Sequence, residues 1–94
     1  MNEVVKDKVH NLLDELEIEK CTVAVSVFSD FFHLTCSGDD LSIAVEDNSI
    51  TVDMANTMFS IEFAKVTEFE EYETEYGRAI LLKGVNGNLE ISGV

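Results

Sequence analysis

Apolar residues recur at two different periods along this chain, and the change of period marks its architecture. Val5, Val9, Leu12, Leu13 and Leu16 are spaced by four, three, one and three, which gathers them into one stripe of a helix over about residues 3–18. Asn2 stands at the N-cap position, and Glu3 sets a negative charge at the positive end of the helix dipole. From Thr22 onward the period falls to two. Val23, Val25 and Val27 alternate with Ala24, Ser26 and Phe28, as they must on a strand with one buried face.

Turn signals divide the alternating region. Reflecting the chain about Ser29-Asp30 sets Val27 against Phe32, Val25 against Leu34 and Val23 against Cys36. Ser37-Gly38-Asp39-Asp40 is the next turn. Leu41, Ile43 and Val45 then return through Asp47-Asn48 against Ile50, Val52 and Met54. A turn at Asn56-Thr57 opposes Met54 to Phe59, Val52 to Ile61 and Ile50 to Phe63. These five strands form a meander whose apolar face the helix covers. Its other face carries Ser26, His33, Thr35, Ser42, Thr51, Asp53, Ser60 and Glu62, all compatible with water.

The alternation stumbles at Ala64-Lys65, which predicts a bend or bulge before a strand from Val66 to about Tyr72. Tyr76-Gly77-Arg78 reads as a turn. Asn86-Gly87 is the strongest short turn signal in the chain; it predicts a hairpin of residues 79–85 and 88–92, with Leu82 facing Ile91 and Lys83 facing Glu90. The expected fold is α+β in a single domain, residues 1–94. One N-terminal amphipathic helix packs on a strongly curved antiparallel β-meander of seven to eight strands, spanning about residues 22–93.

Charge changes the picture more than composition does. Nineteen acids against six bases give a formal charge of −13 on 94 residues, beyond what solubility requires of a small domain. Between Cys21 and Ala64 there are seven acidic residues and neither lysine nor arginine. A second block, Glu68, Glu70, Glu71, Glu73 and Glu75, is interleaved with Phe69, Tyr72 and Tyr76. Such a surface repels nucleic acid and anionic membrane and attracts basic proteins. Same-face residues on a strand recur at roughly 6.5–7 Å, so an extended Glu71, Glu73 and Glu75 would space carboxylates in a row suited to a phosphate-binding groove. The bland alternative is a solvated acidic edge that discourages sheet-to-sheet aggregation. Phe28 and Phe31 flank the first hairpin tip, either as a contact point or buried under later strands.

Other chemistry finds little purchase. His10 and His33 lack companion ligands, so no metal site is expected, and Gly38-Asp39-Asp40 lacks the spacing of a calcium loop. Cys21 and Cys36 fall a diagonal step apart, where a disulfide would be strained; two buried or half-buried thiols are expected. No nucleophile elbow or glycine-rich phosphate loop occurs, so no catalytic residue, cofactor or enzymatic activity is expected. The start of the chain has no secretory pattern, and its longest apolar run, Ala79 to Leu82, is too short to span a bilayer, which together point to the cytoplasm.

These readings converge on a small binding protein. It would act as a stoichiometric inhibitor that occludes the cationic surface of a nuclease or other nucleic-acid-binding protein, as phage anti-defence and immunity proteins do. The expected contacts are Glu68, Phe69, Glu70, Glu71, Tyr72, Glu73, Glu75, Tyr76, Asp53, Glu62, Phe28 and Phe31, with no direct binding of nucleic acid or membrane. The alternative is a structural or adaptor module, or a small assembly subunit, that homodimerises through a sheet edge or exposed aromatics. A third class, a small-molecule binder inside the curled sheet, is opposed by Phe32, Phe59 and Phe63, which would fill the interior.

Overall fold

The computed structural model describes residues 2–54, 56–85 and 87–94. One helix, α1 (Asn2–Ile18), precedes eight strands: β1 (Val23–Phe28), β2 (His33–Ser37), β3 (Leu41–Val45), β4 (Ser49–Met54), β5 (Thr57–Glu62), β6 (Val66–Thr74), β7 (Gly77–Gly84) and β8 (Asn88–Gly93). All pairings are antiparallel, which bears out the α+β class. The Asn2 cap and the Asn86-Gly87 turn fall wholly or partly outside what is described.

The single meander does not form. The strands divide into a five-stranded sheet, ordered β2-β1-β8-β7-β6, and a three-stranded sheet, β3-β4-β5. The break lies at Gly38, where a positive φ of 80° opens a short 3-10 turn after β2. Covering requirements explain it. Five strands span about 20–25 Å across, whereas one helix covers about 10 Å. The helix and the small sheet together cover the inner face: Val5, Val9, Leu12 and Leu16 share one buried core with Ile50, Val52, Ile61 and Phe63, and with Val25, Val27, Ile80, Leu82, Leu89 and Ile91. Each of the four helix residues is buried completely or nearly so, which stabilises by about 1.5–3 kcal/mol apiece. Neither sheet closes on itself among the described residues; β2 and β6 are the edges of one, β3 and β5 of the other.

Hairpin registers divide sharply between right and wrong. The β3–β4 pairing follows expectation, with Leu41 opposite Met54 and Val45 opposite Ile50. Three others differ by one pair. Val27 meets Leu34 and Val25 meets Cys36, so His33 faces Phe28 rather than Ser26. Val52 meets Phe59 and Ile50 meets Ile61. Leu82 meets Leu89 and Lys83 meets Asn88, so the expected Lys83–Glu90 pair is absent. Every difference is a shift of two, which preserves the face each side chain points to while changing its partner. Alternation selects the face alone.

The bend at Ala64-Lys65 is a 3-10 turn over Phe63–Lys65, and the β6–β7 register shifts between Val66 and Glu68. β6 runs on to Thr74, so its turn falls at Glu75-Tyr76, before Gly77 with φ 122°. Phe63 is fully buried and Phe59 packs against the core, but Phe32 is exposed. It precedes β2 at the end of the sheet and lies outside the buried core. Cys21 and Cys36 are free, half-buried thiols, and Cys36 opposes Val25 rather than Val23.

Candidate functional site: an acidic end and an open edge

Antiparallel order gives the five-stranded sheet two ends. At one, α1 terminates, β1 begins, β8 finishes and the β6–β7 turn lies. At the other stand the β1–β2 and β7–β8 turns.

The acidic block of β6 is split by the strand's own alternation. Glu68, Glu70 and Tyr72 share the outer face with Lys83, through the pairs Glu68–Lys83, Glu70–Leu81 and Tyr72–Ala79. Phe69, Glu71 and Glu73 point to the helix side, opposite Leu82, Ile80 and Arg78. Most of these carboxylates already have cations. Lys83 Nζ lies 3.5 Å from Glu70 and 3.8 Å from Glu68. Glu71 receives Arg78 at 2.6 Å and Lys8 of the helix at 3.1 Å, while Arg78 also reaches Glu15 at 3.2 Å. The bond from Lys8, opposed by partial burial and joined by Arg78, holds the Glu71 carboxyl below its ordinary range. On the outer face Tyr72 donates its hydroxyl to Glu90; burial, then that carboxylate, raises the phenol to about 12.

Five of the six basic residues are spent in this way, Lys6 on Asp47 and Lys65 on Glu62 being the remaining pairs. Six carboxylates take part in ion pairs (Glu15, Asp47, Glu62, Glu68, Glu70 and Glu71), so 19 − 6 leaves 13 outside any ion pair among the described residues.

Several of these thirteen collect at one end of the sheet. α1 closes with Lys20 in the left-handed region (φ 59°), Lys20 N donating to Glu17 O at 3.1 Å and Cys21 N to Leu16 O at 3.0 Å. This is the Schellman arrangement, and it carries Glu19 across to the β6–β7 turn. A Cβ on Gly77 would lie 3.1 Å from the Glu19 carboxylate, and Cys21 Sγ is 3.5 Å from the Tyr76 carbonyl. Glu17 and Asp39 rim an adjoining groove of about 510 Å³, floored by Leu13, Val23, Leu41 and Ile43. Glu73 and Glu75 lie on the same end through β6 and its turn. The last turn of α1 contains no base, so the negative end of the helix dipole adds to these charges.

The expected contact residues are therefore dispersed. Glu73, Glu75 and Tyr76 belong to the acidic end; Glu68, Glu70 and Tyr72 to the outer face; Phe69 packs against the core. Asp53 and Glu62 lie on the outer face of the small sheet, beside Met58 and opposite Ser49 respectively. Phe28 stacks edge-on against His33, with ring centroids 5.8 Å apart. Phe31 is 95% exposed at the far end, near Val85 at 77%. Glu17, Glu19 and Asp39 are not among the expected contacts, although Asp39 lies in the acidic stretch read from the sequence. The available signal was the run Glu15, Glu17 and Glu19 through the end of a helix whose last turn holds no base, with Lys20 alone following it.

Among the described residues no three His, Cys, Asp or Glu side chains converge as metal ligands, and no helix is long and apolar enough to cross a membrane. What fold and surface define together is an α+β domain of two layers with one anionic end. No protein-family model matches this chain, and neither a curated protein nor a solved structure shows significant similarity to it.

Proposed function

We propose that this chain is a non-enzymatic binding protein for a basic protein, and that it inhibits stoichiometrically by covering a cationic surface made for nucleic acid. The observation that carries this reading is the placement of the carboxylates its own cations leave alone. Glu17, Glu19, Asp39, Glu73 and Glu75 sit around one end, on elements pinned by the Schellman closure and the Glu15–Arg78–Glu71 bridge. A preformed anionic end steers association and loses affinity as salt rises. The cytoplasmic setting belongs to the same proposal, since nucleases and regulators with cationic grooves work there.

This shifts the centre of the expected site. Glu68, Glu70 and Glu71 are the β6 acids with internal partners, and a lysine at 71 would face Lys8 and Arg78. The informative charge reversals are Glu17→Lys, Glu19→Lys, Glu73→Lys and Glu75→Lys. The test is displacement of DNA from a panel of cationic nucleic-acid-binding proteins at low salt. The native chain should displace DNA from its target at a one-to-one ratio, less so as salt is added, and the fourfold reversal should abolish the effect while thermal unfolding stays cooperative. Equal displacement by the reversed protein would refute the assignment.

An adaptor role draws on a different observation, the exposure of Phe31 and Val85 beside the β1–β2 turn. It predicts a complex insensitive to salt and lost on Phe31→Ser.

A further inference from the structure

The β2 edge carries an unused set of hydrogen-bonding groups. Ser29 N donates to Phe32 O at 2.9 Å, which sets the hydrogen-bonded rungs of the first hairpin at Ser29–Phe32, Val27–Leu34 and Val25–Cys36. Rungs alternate in an antiparallel pair, so the N–H and C=O of His33, Thr35 and Ser37 point away from β1. β2 pairs with no other strand among the described residues. Natural edges are usually blunted by charge, proline or cover. β6 carries four glutamates; β2 (His-Leu-Thr-Cys-Ser) carries no lysine, arginine or acid.

A groove lies beside this edge. Leu34, Thr35 and Cys36 of β2 face Met54 and Thr57 across a cleft of about 140 Å³, with Leu34 left 41% exposed. Toward the other end of β2 the rings of Phe32 and Phe59 lie 3.9 and 3.7 Å from where a Cβ on Gly87 would stand. Acids stand at both ends of β2: Asp30 before it, Asp39 and Asp40 after it. No lysine or arginine occurs anywhere from residue 21 to 64.

We propose that β2 takes an extended segment of the partner as an added strand, in which apolar side chains alternate with lysine or arginine. The backbone would pair with His33, Thr35 and Ser37, apolar side chains would enter the cleft, and the basic ones would meet the flanking aspartates. This rests on the basic-partner reading and supplies its mode of docking. Strand addition draws affinity from main-chain bonds and selectivity from alternate side chains. The charge pattern selects the partner over a second copy. Fully overlapped antiparallel pairing of β2 with itself centres on Thr35 and brings the Asp30 turn of one copy toward the Asp39–Asp40 turn of the other, so that like charges meet at both ends.

The test is a titration of isotope-labelled protein at low salt with a short peptide alternating valine and lysine. An alternating valine–glutamate peptide and a block-ordered peptide of the first composition serve as controls. The valine–lysine peptide alone should bind, with the largest amide shifts and the strongest slowing of hydrogen exchange at His33, Thr35 and Ser37. Leu34→Lys, at a half-exposed position in the cleft, should weaken binding about tenfold or more, and Thr35→Pro, which removes an outward N–H, should abolish the slowing. If Thr35→Pro does not fold, Leu34→Lys decides. Absence of peptide binding, or equal binding of the block-ordered peptide, overturns strand addition. So does protection of β2 without peptide together with a doubled mass in sedimentation, which would identify a second copy as the occupant. Shifts confined to Glu17, Glu19, Asp39, Glu73 and Glu75 would overturn strand addition while sparing the basic-partner reading. Docking at β2 by a chain that displaces DNA from no cationic protein would retire the inhibitor reading alone.

Discussion

β6 and β2 border the same five-stranded sheet, and they solve the problem of an edge in opposite ways. β6 is nine residues long and carries Glu68, Glu70, Glu71 and Glu73, three of them held by cations from α1 and β7. β2 is five residues long, without lysine, arginine or acid, and flanked by aspartates that have no ion pair among the described residues. The more conspicuous sequence is the more occupied surface. A carboxylate bound by the chain's own lysine or arginine secures the edge to the helix and has less to offer a partner. Binding capacity is better sought where charge or backbone has been left unpaired.

The strongest way to break this contrast is to remove the cation at its centre. Arg78→Leu leaves Glu15 and Glu71 without a shared guanidinium in a half-buried position. That should cost about 1–2 kcal/mol, between the small worth of exposed pairs and the larger penalty of a buried unpaired charge. Denaturant unfolding measures it, and an unchanged midpoint would mean that the β6 acids are not structurally committed.

Lys8→Met sharpens the same point through pH and should cost less, about 0.5–1 kcal/mol near neutrality. The folded-state Glu71 carboxyl titrates below its ordinary 4.5, chiefly because Lys8 bonds its charged form. Its contribution is therefore present above 4.5 and is lost as pH falls through the folded value. Lys8→Met should flatten that acid limb relative to the native chain. Parallel acid limbs would contradict it.

The smallest effect belongs to β2. Leu34→Thr at the partly exposed edge should change stability by no more than about 0.5 kcal/mol, because little of the core rests on it. A much larger loss would show that the cleft beside β2 is part of the core.

Much of the frame was legible in the sequence, for identifiable reasons. The helical stripe and the strand alternation are local patterns, and they placed Val5, Val9, Leu12, Val25, Val27, Ile50 and Val52 in the core. The Asp47-Asn48 turn fixed its register because loop and apolar alternation agreed. Elsewhere alternation tolerated a shift of two, so faces were recovered and partners missed. That is why Lys83 was paired with Glu90 when it serves Glu68 and Glu70. The insertion of β8 between β1 and β7 is a long-range choice without a local signal, as is the departure of β3 to a second layer. The acidic end was hidden for the same reason: residues 17–19, 39 and 73–75 meet only once the strand order is known.

The most direct test compares two double charge reversals in the same DNA-displacement titration, at matched low salt. Glu17→Lys with Glu19→Lys alters carboxylates without ion pairs; Glu68→Lys with Glu70→Lys alters those that Lys83 already engages. The first pair should weaken capture of the cationic partner about tenfold, roughly 1.4 kcal/mol, and the second by no more than about threefold. The reverse order would place the contact on the β6 edge and contradict the claim that the chain binds through the charges its own cations leave free.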